Sequence, residues 1–497
     1  MGSSFLEIKN ISKSFGGVKA LQNVDFKIER GEIYCLMGEN GSGKSTLIKI
    51  ISGVYTPDQG EMILNGKLYK KITPAESIRE GIQIIYQDFS VFPNLSVAEN
   101  IALSVMAGQK DKIINKKKMS RIAAAALERI SVSLPLDKPV EELSVAGKQI
   151  VAIARGIAQD AKLLVMDEPT TALTYKEIEA LYKIVGALKQ KGIAVIFVSH
   201  KLEEVFKISE KIAILRNGRK VLDDRIENFD KNSLAYHMTG REIPNIPYEY
   251  IKDETKTIPV MEVKNLSMKN AFENISFCLY SREILGITGQ LGCGRTELAK
   301  ALFGIGKYTG SVMVEGKKAD IRNILDTQKY GIGYVPEDRL SEGLFLVKPL
   351  TDNITVSSMD SYGNRICCSR KELIRAASGW LSSLEISAEN SEVPASNLSG
   401  GNQQRIVLAK WLATNPKILI LNCPTVGVDI GSKNQIHEII KGLARKGIGV
   451  IVISDDISEI LTVCNRVLLM KNGKITEEID SKGITVEKLE EDLIKVE

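Results

Sequence analysis

Hydrophobic positions along the chain fall in short runs separated by glycine and charged turns. The alternating runs Ile33 to Met37 and Glu61 to Leu64, turned by Gly31, Gly60 and Gly66, predict strands. Arg121 to Ile130 has helical spacing, and the apolar stretches Leu163 to Met166 and Val195 to Ser199 predict buried strands. Together these predict an α/β core with an antiparallel β subdomain in front and a helical subdomain inserted. No apolar run approaches the roughly 18–20 residues that span a bilayer. Any membrane role is therefore expected to act through a partner.

The pattern comes twice. Leu6-Glu-Ile-Lys-Asn-Ile-Ser returns as Met261-Glu-Val-Lys-Asn-Leu-Ser, Leu143-Ser144 as Leu398-Ser399, and the run Asp167 to Thr170 as Asn422 to Thr425. A duplicated domain is expected, with copies at 5–242 and 260–497. The linker between them, 243–259, carries Pro244, Pro247 and Pro259 among charged residues.

Between the run ending at Met37 and the apolar Leu47, Ile48 and Ile50 stand Gly38, Glu39, Asn40, Gly41, Ser42, Gly43, Lys44, Ser45 and Thr46. A G-x-x-x-x-G-K-[ST] segment between strand and helix is a phosphate-binding loop. Its small residues let backbone N–H groups close around phosphates, and the helix N-terminus adds a favourable dipole. Lys44 reaches the phosphates, and the Ser45 hydroxyl is placed to hold Mg²⁺. The strand Leu163 to Met166 ends in two acids. Asp167 is expected to hold the water shell of Mg²⁺, and Glu168 to orient or deprotonate an attacking water. His200, one of three histidines, follows another buried strand and fits a γ-phosphate sensor and a structural histidine equally.

Composition narrows the class. With 497 residues, 66 basic against 61 acidic side chains and a net charge of +5, the chain is not a nucleic-acid binder by charge. The dense cluster Lys116, Lys117, Lys118 is expected to be a solvated face. Seven cysteines without C-x-x-C spacing argue against zinc and disulfides and for a reducing compartment.

With these motifs the chain resembles ABC-type ATPases, over essentially its whole length. The resemblance implies ATP and Mg²⁺ as ligands, a glutamine loop at Gln87 that reaches the metal, a switch histidine at His200, and an adenine-stacking aromatic at Phe15. It also implies a signature at Leu398, Ser399, Gly400 and Gly401, continued by Gln403. More narrowly, the chain is similar to the duplicated ATPase subunits of bacterial monosaccharide importers. Three traits carry this: both halves in one chain without membrane spans, Arg295 in the second phosphate loop, and the run Val335-Pro336-Glu337-Asp338-Arg339. Such a subunit is expected on the cytoplasmic face of the membrane, with two permease subunits and, through them, a sugar-binding protein. The segment from Gln87 to Asn100, with Phe89, Val91, Phe92 and Leu95, would dock the permease. An importer of a nucleoside or a sugar-like signalling molecule, and a soluble twin-ATPase ribosome factor, are the alternatives.

The second copy has lost chemistry. Arg295 replaces lysine, Glu337 the glutamine, Asn422 and Cys423 the two acids, and Asp455 the histidine. Asn422 supplies no anionic charge for a metal, and a buried Cys423 is expected to be filler. Conversely, Val145 and Ala146 stand where the other signature has Gly400 and Gly401, and their side chains are expected to crowd a close approach to phosphate. In the family arrangement the two halves pair, each nucleotide lying between one phosphate loop and the other half's signature. The intact loop then meets the intact signature, giving one hydrolytic site and one degenerate site.

Overall fold

A computed structural model describes residues 4–86, 88–108, 115–170, 173, 175–199, 201–240, 248–250, 258–290, 292–364 and 367–495. Internal contacts divide the chain into two units, Met1–Ile243 and Pro244–Glu497.

The first unit holds a four-stranded antiparallel sheet in the order Val18–Glu29, Ser4–Phe15, Gln59–Leu64, Lys67–Tyr69. Behind it lies a six-stranded sheet in the order Arg219–Arg225, Lys211–Arg216, Ile33–Met37, Ala194–Val198, Leu163–Asp167, Ile82–Ile85. All neighbours pair in parallel except the edge strand Arg219–Arg225. The central strand Ile33–Met37 is buried at every position. The alternation is between two cores: Tyr34 and Leu36 pack with Phe26 and Leu47, while Ile33 packs with Val195 and Phe197. Parallel strands covered on both faces bury both sets of side chains. Gln59–Leu64 keeps the expected alternation towards its end, with Met62 and Leu64 buried.

The inserted helical subdomain contains Val97–Gly108, Lys116–Glu128 and Val145–Ala158. The second of these starts before the predicted Arg121, because the Asn115 side chain accepts from the Lys118 N–H and caps it. It ends at Glu128, before the predicted Ile130. Lys116 and Lys117 are exposed in its first turn. Of the expected docking residues only Phe92 stands out, at 51% exposure; Phe89 and Val91 pack against the helical core.

The second unit repeats the plan. Its antiparallel sheet runs Phe272–Leu279, Met261–Met268, Thr309–Val314, Lys317–Ala319. The six-stranded sheet runs Ile332–Val335, Ile418–Asn422, Gly449–Ile453, Ile284–Gly289, Arg466–Lys471, Lys474–Asp480. Of the expected linker 243–259, the described part includes Tyr248, whose hydroxyl donates to the Arg282 carbonyl at 2.9 Å and whose own carbonyl accepts from Asn465 at 3.1 Å. That stretch is fastened to the second unit. No described helix is long and apolar enough to cross a membrane.

Candidate functional site

In the first unit the phosphate loop links the central strand Ile33–Met37 to the helix Lys44–Ile51. Two of its glycines are required by their surroundings. Gly38 has φ 149°, and a Cβ there would lie 2.3 Å from the Leu215 carbonyl oxygen; Gly43 has φ 107° and would meet that of Ala20 at 2.6 Å. Gly43 caps the helix without any side-chain hydrogen bond, so the first-turn N–H groups are left for an outside acceptor. The Ser42 hydroxyl, 4% exposed, also has no partner among the described residues. Asn40, Gly41 and Ser45 are exposed around this cradle, with Glu39 and Thr46 half-buried. The Lys44 ammonium bends over the loop and donates to the carbonyls of Gly38 at 2.6 Å and Glu39 at 2.9 Å. These donors and this cation suit the phosphates of a nucleotide.

Asp167 ends the neighbouring strand but one. Burial, then the Glu168 carboxylate, push its carboxyl above the usual range, and Lys44 pulls it back. A pair of acids left this way beside a phosphate loop is a donor set that a divalent cation would stabilise, so Mg²⁺ fits here. Glu168 has φ 47°, a left-handed conformation rare for such a side chain, and its N–H donates to the Val198 carbonyl at 3.0 Å. The buried Glu204 joins the same two strand ends, accepting from Thr170 Oγ1 at 2.5 Å and Ser199 Oγ at 2.6 Å. Sequence inspection did not find Glu204. Gln87 and His200 lie outside the described residues.

Phe15 ends its strand 41% exposed, with its ring centroid 5.2 Å from that of Tyr55. Lys13 Nζ stands 5.4 Å from the Phe15 centroid and is itself paired with Asp58 at 2.7 Å. Tyr55 is another residue the sequence hid, since only the fold brings it to Phe15. An exposed aromatic platform beside a phosphate loop suits a purine base. We expect Phe15→Ala to weaken ATP binding about fivefold or more, at the low end of roughly 1–3 kcal/mol per stacked base, as read by equilibrium titration.

The second unit builds the same scaffold with different side chains. Its hairpin is shorter: Met261–Met268 turns back with Met268 opposite Phe272, whereas Ser4–Phe15 runs on until Phe15 faces Val18. The position of Phe15 therefore has no counterpart. Arg295 Nη1 donates to the Gly289 carbonyl, and Nη2 pairs with Asp455 at 3.6 Å. The Asn422 amide is wholly buried beside the Tyr334 hydroxyl, with neither of its polar atoms in a well-formed hydrogen bond. Such a group does not fit a metal shell that an anion should hold. Cys423 has the same strained backbone as Glu168, φ 48°, but is 2% exposed, and burial with Asp455 nearby pushes its thiol up. A neutral buried thiol is no base for water.

Ser399 precedes the helix Gly400–Leu412 and makes no capping bond; its hydroxyl accepts from Asn402 at 3.2 Å. Neighbours within the unit also require glycine here. A Cβ on Gly400 would stand 2.7 Å from Arg339 Nη2, and one on Gly401 2.1 Å from Ser432 Oγ. Gln403 is 7% exposed and donates inward to the Ala395 carbonyl at 3.2 Å, bracing the turn before the signature.

Comparison with known proteins agrees with this geometry. The ABC transporter family model matches residues 21–171 and again 272–426. The ribose import ATP-binding protein RbsA of Bacillus licheniformis is 37% identical over 485 residues, covering 97% of this chain and 98% of that protein. The protein of the same name from Clostridium perfringens strain SM101 is 41% identical over 481 residues, covering 96% and 95%. The family is matched once in each unit, and the chain belongs to the ABC transporter family, with two tandem ATPase domains in one polypeptide.

Proposed function

We propose that the chain is the ATP-hydrolysing subunit that energises import of a monosaccharide, ribose being the first candidate. The observation that carries this is the extent of the likeness: ribose import ATP-binding proteins match across both units and nearly end to end. The asymmetry of the two units supports one hydrolytic site. In it, the loop Gly38 to Thr46 and Lys44 hold the phosphates of ATP, and Phe15 stacks on its adenine. Ser45, Gln87 and Asp167 would hold Mg²⁺, which when bound neutralises charge on the β- and γ-phosphates. Glu168 accepts the proton of the attacking water, and His200 meets the γ-phosphate. Ser399, Gly400 and Gly401 of the second unit complete the site by pairing of the halves. The loop around Arg295 forms the degenerate site, where Asn422 and Cys423 replace the acids and neither is suited to activate water.

The subunit would sit peripherally at the cytoplasmic face of the membrane, bound to two permease subunits with Phe92 in the contact, and served by a sugar-binding protein outside. The test is uptake into proteoliposomes holding the permease encoded beside this chain, with the chain and Mg-ATP added on the ATP side. ATP-dependent accumulation of labelled ribose is expected. Accumulation of a nucleoside instead, or ATP turnover indifferent to permease and binding protein, would overturn the sugar assignment.

A further inference from the structure

The run Val335 to Arg339 marks the resemblance to sugar importers, yet no role above uses Arg339. It opens the short helical turn Arg339–Gly343, capped by Asp338, whose Oδ1 accepts from the N–H groups of Leu340 at 2.9 Å and Ser341 at 3.3 Å. The guanidinium leaves this turn and reaches across the unit. Nη1 donates to the Val426 carbonyl at 2.7 Å, Nη2 to that of Gly427 at 3.2 Å, and Nε points to Gln403 Oε1 at 3.4 Å. One planar fork thus grips two consecutive carbonyls of the turn after Cys423-Pro-Thr and leans on the signature helix. Gly400 lies directly against it: a Cβ would come 2.7 Å from Nη2 and 2.9 Å from the Gly427 oxygen. Arg339 and Gly400 therefore fit as a pair.

The first unit has the other pair. Counting from its strand Ile82–Ile85, Phe89 takes the place of Arg339, and Val145 follows Ser144 where Gly400 follows Ser399. Phe89 is half-buried against the helical core, and Lys148 stands in that signature helix at the place of Gln403. Among the described residues Arg339 is the guanidinium set against a signature glycine, whereas in the first unit Arg155 of the signature helix donates to the carbonyls of Phe89 and Ser90.

We infer that Arg339 is a positioning residue for the Ser399–Gly401 signature. It ties the signature's first turn to the 426–427 turn and to the loop that follows Glu337, and so fixes where the Ser399 hydroxyl and the neighbouring N–H groups stand. This rests on the proposal that Ser399 and its neighbours complete the ATP site of the first unit. Lysine does not substitute, because one ammonium cannot span two carbonyls and a side-chain amide in a plane.

The assembled transporter tests this, with kcat measured for turnover and ATP affinity measured on the Glu168→Gln background. Arg339→Ala and Arg339→Lys should each lower kcat about fivefold or more while the ATP dissociation constant moves less than about threefold, since the binding loop lies in the other unit. A merely structural role would move the thermal midpoint and spare that split. Kcat within about twofold of wild type for Arg339→Ala overturns the inference. Should that variant fold poorly, Arg339→Gln decides, because it keeps a polar side chain of similar reach but cannot span two carbonyls and the Gln403 side chain together. Loss of kcat there supports positioning, and wild-type kcat refutes it. Glu168→Gln is the control: if it leaves turnover intact, the proposed function fails, whereas silent Arg339 variants beside an inactive Glu168→Gln sink this inference alone.

Discussion

Glu168→Gln is expected to stop steady-state ATP turnover in the assembled transporter and to leave ATP binding intact. Loss of a positioned base costs about 10²–10⁴ in rate, so a fall of at least roughly a hundredfold is the expected reading. Two observations single out this carboxylate. It is carried on a left-handed backbone pinned by the bond from its N–H to Val198, and Cys423 repeats that geometry through its bond to Ile453. The scaffold for a water base is therefore built twice, but only one copy carries an acid. Glutamine keeps the size and the strained backbone while removing the proton acceptor, so binding and hydrolysis separate cleanly. Turnover within a few-fold of wild type would give the role of base to another group.

The motifs that sequence inspection reads well are those whose chemistry lies in adjacent residues. The loop Gly38 to Thr46 and the acids Asp167 and Glu168 stand at strand ends, where an apolar run, a turn and a helix start follow in order. Contacts between distant residues were hidden. Tyr55 meets Phe15, Glu204 bridges Thr170 and Ser199, and Arg339 reaches Val426 and Gly427 only once the sheets form. That Ile33–Met37 is covered on both faces is likewise decided by distant strands. A strand between two cores alternates like one facing water, and only its parallel neighbours on both sides distinguish the cases. The contacts of Arg339 and Ser432 with the signature glycines are of the same kind. The shortened hairpin of the second unit was legible in principle, because the spacing between the repeats changes across it.

Ser399→Arg and Ser144→Arg are chemically identical changes at equivalent places in the repeat, and they are expected to act very differently. In the proposed pairing Ser399 faces the γ-phosphate of the ATP bound by Lys44, Asp167 and Glu168. An arginine there should lower ATPase activity and uptake at least about tenfold, or roughly 1.4 kcal/mol in barrier terms. The Ser399 hydroxyl caps no backbone N–H of its helix and accepts from the Asn402 side chain, so the change costs the fold little. Ser144 is the reverse case: its hydroxyl accepts from the Gly147 N–H at 3.2 Å and caps the helix Val145–Ala158. Losing that cap should cost roughly 0.5–2 kcal/mol of stability, visible as a lower thermal midpoint, while hydrolysis stays within a few-fold. The two variants thus exchange symptoms, one losing turnover and the other stability. Equal losses of turnover would mean that both sites hydrolyse, or that closure at the degenerate site gates the other. A larger loss of turnover at Ser144 would reverse the proposed pairing of loops with signatures.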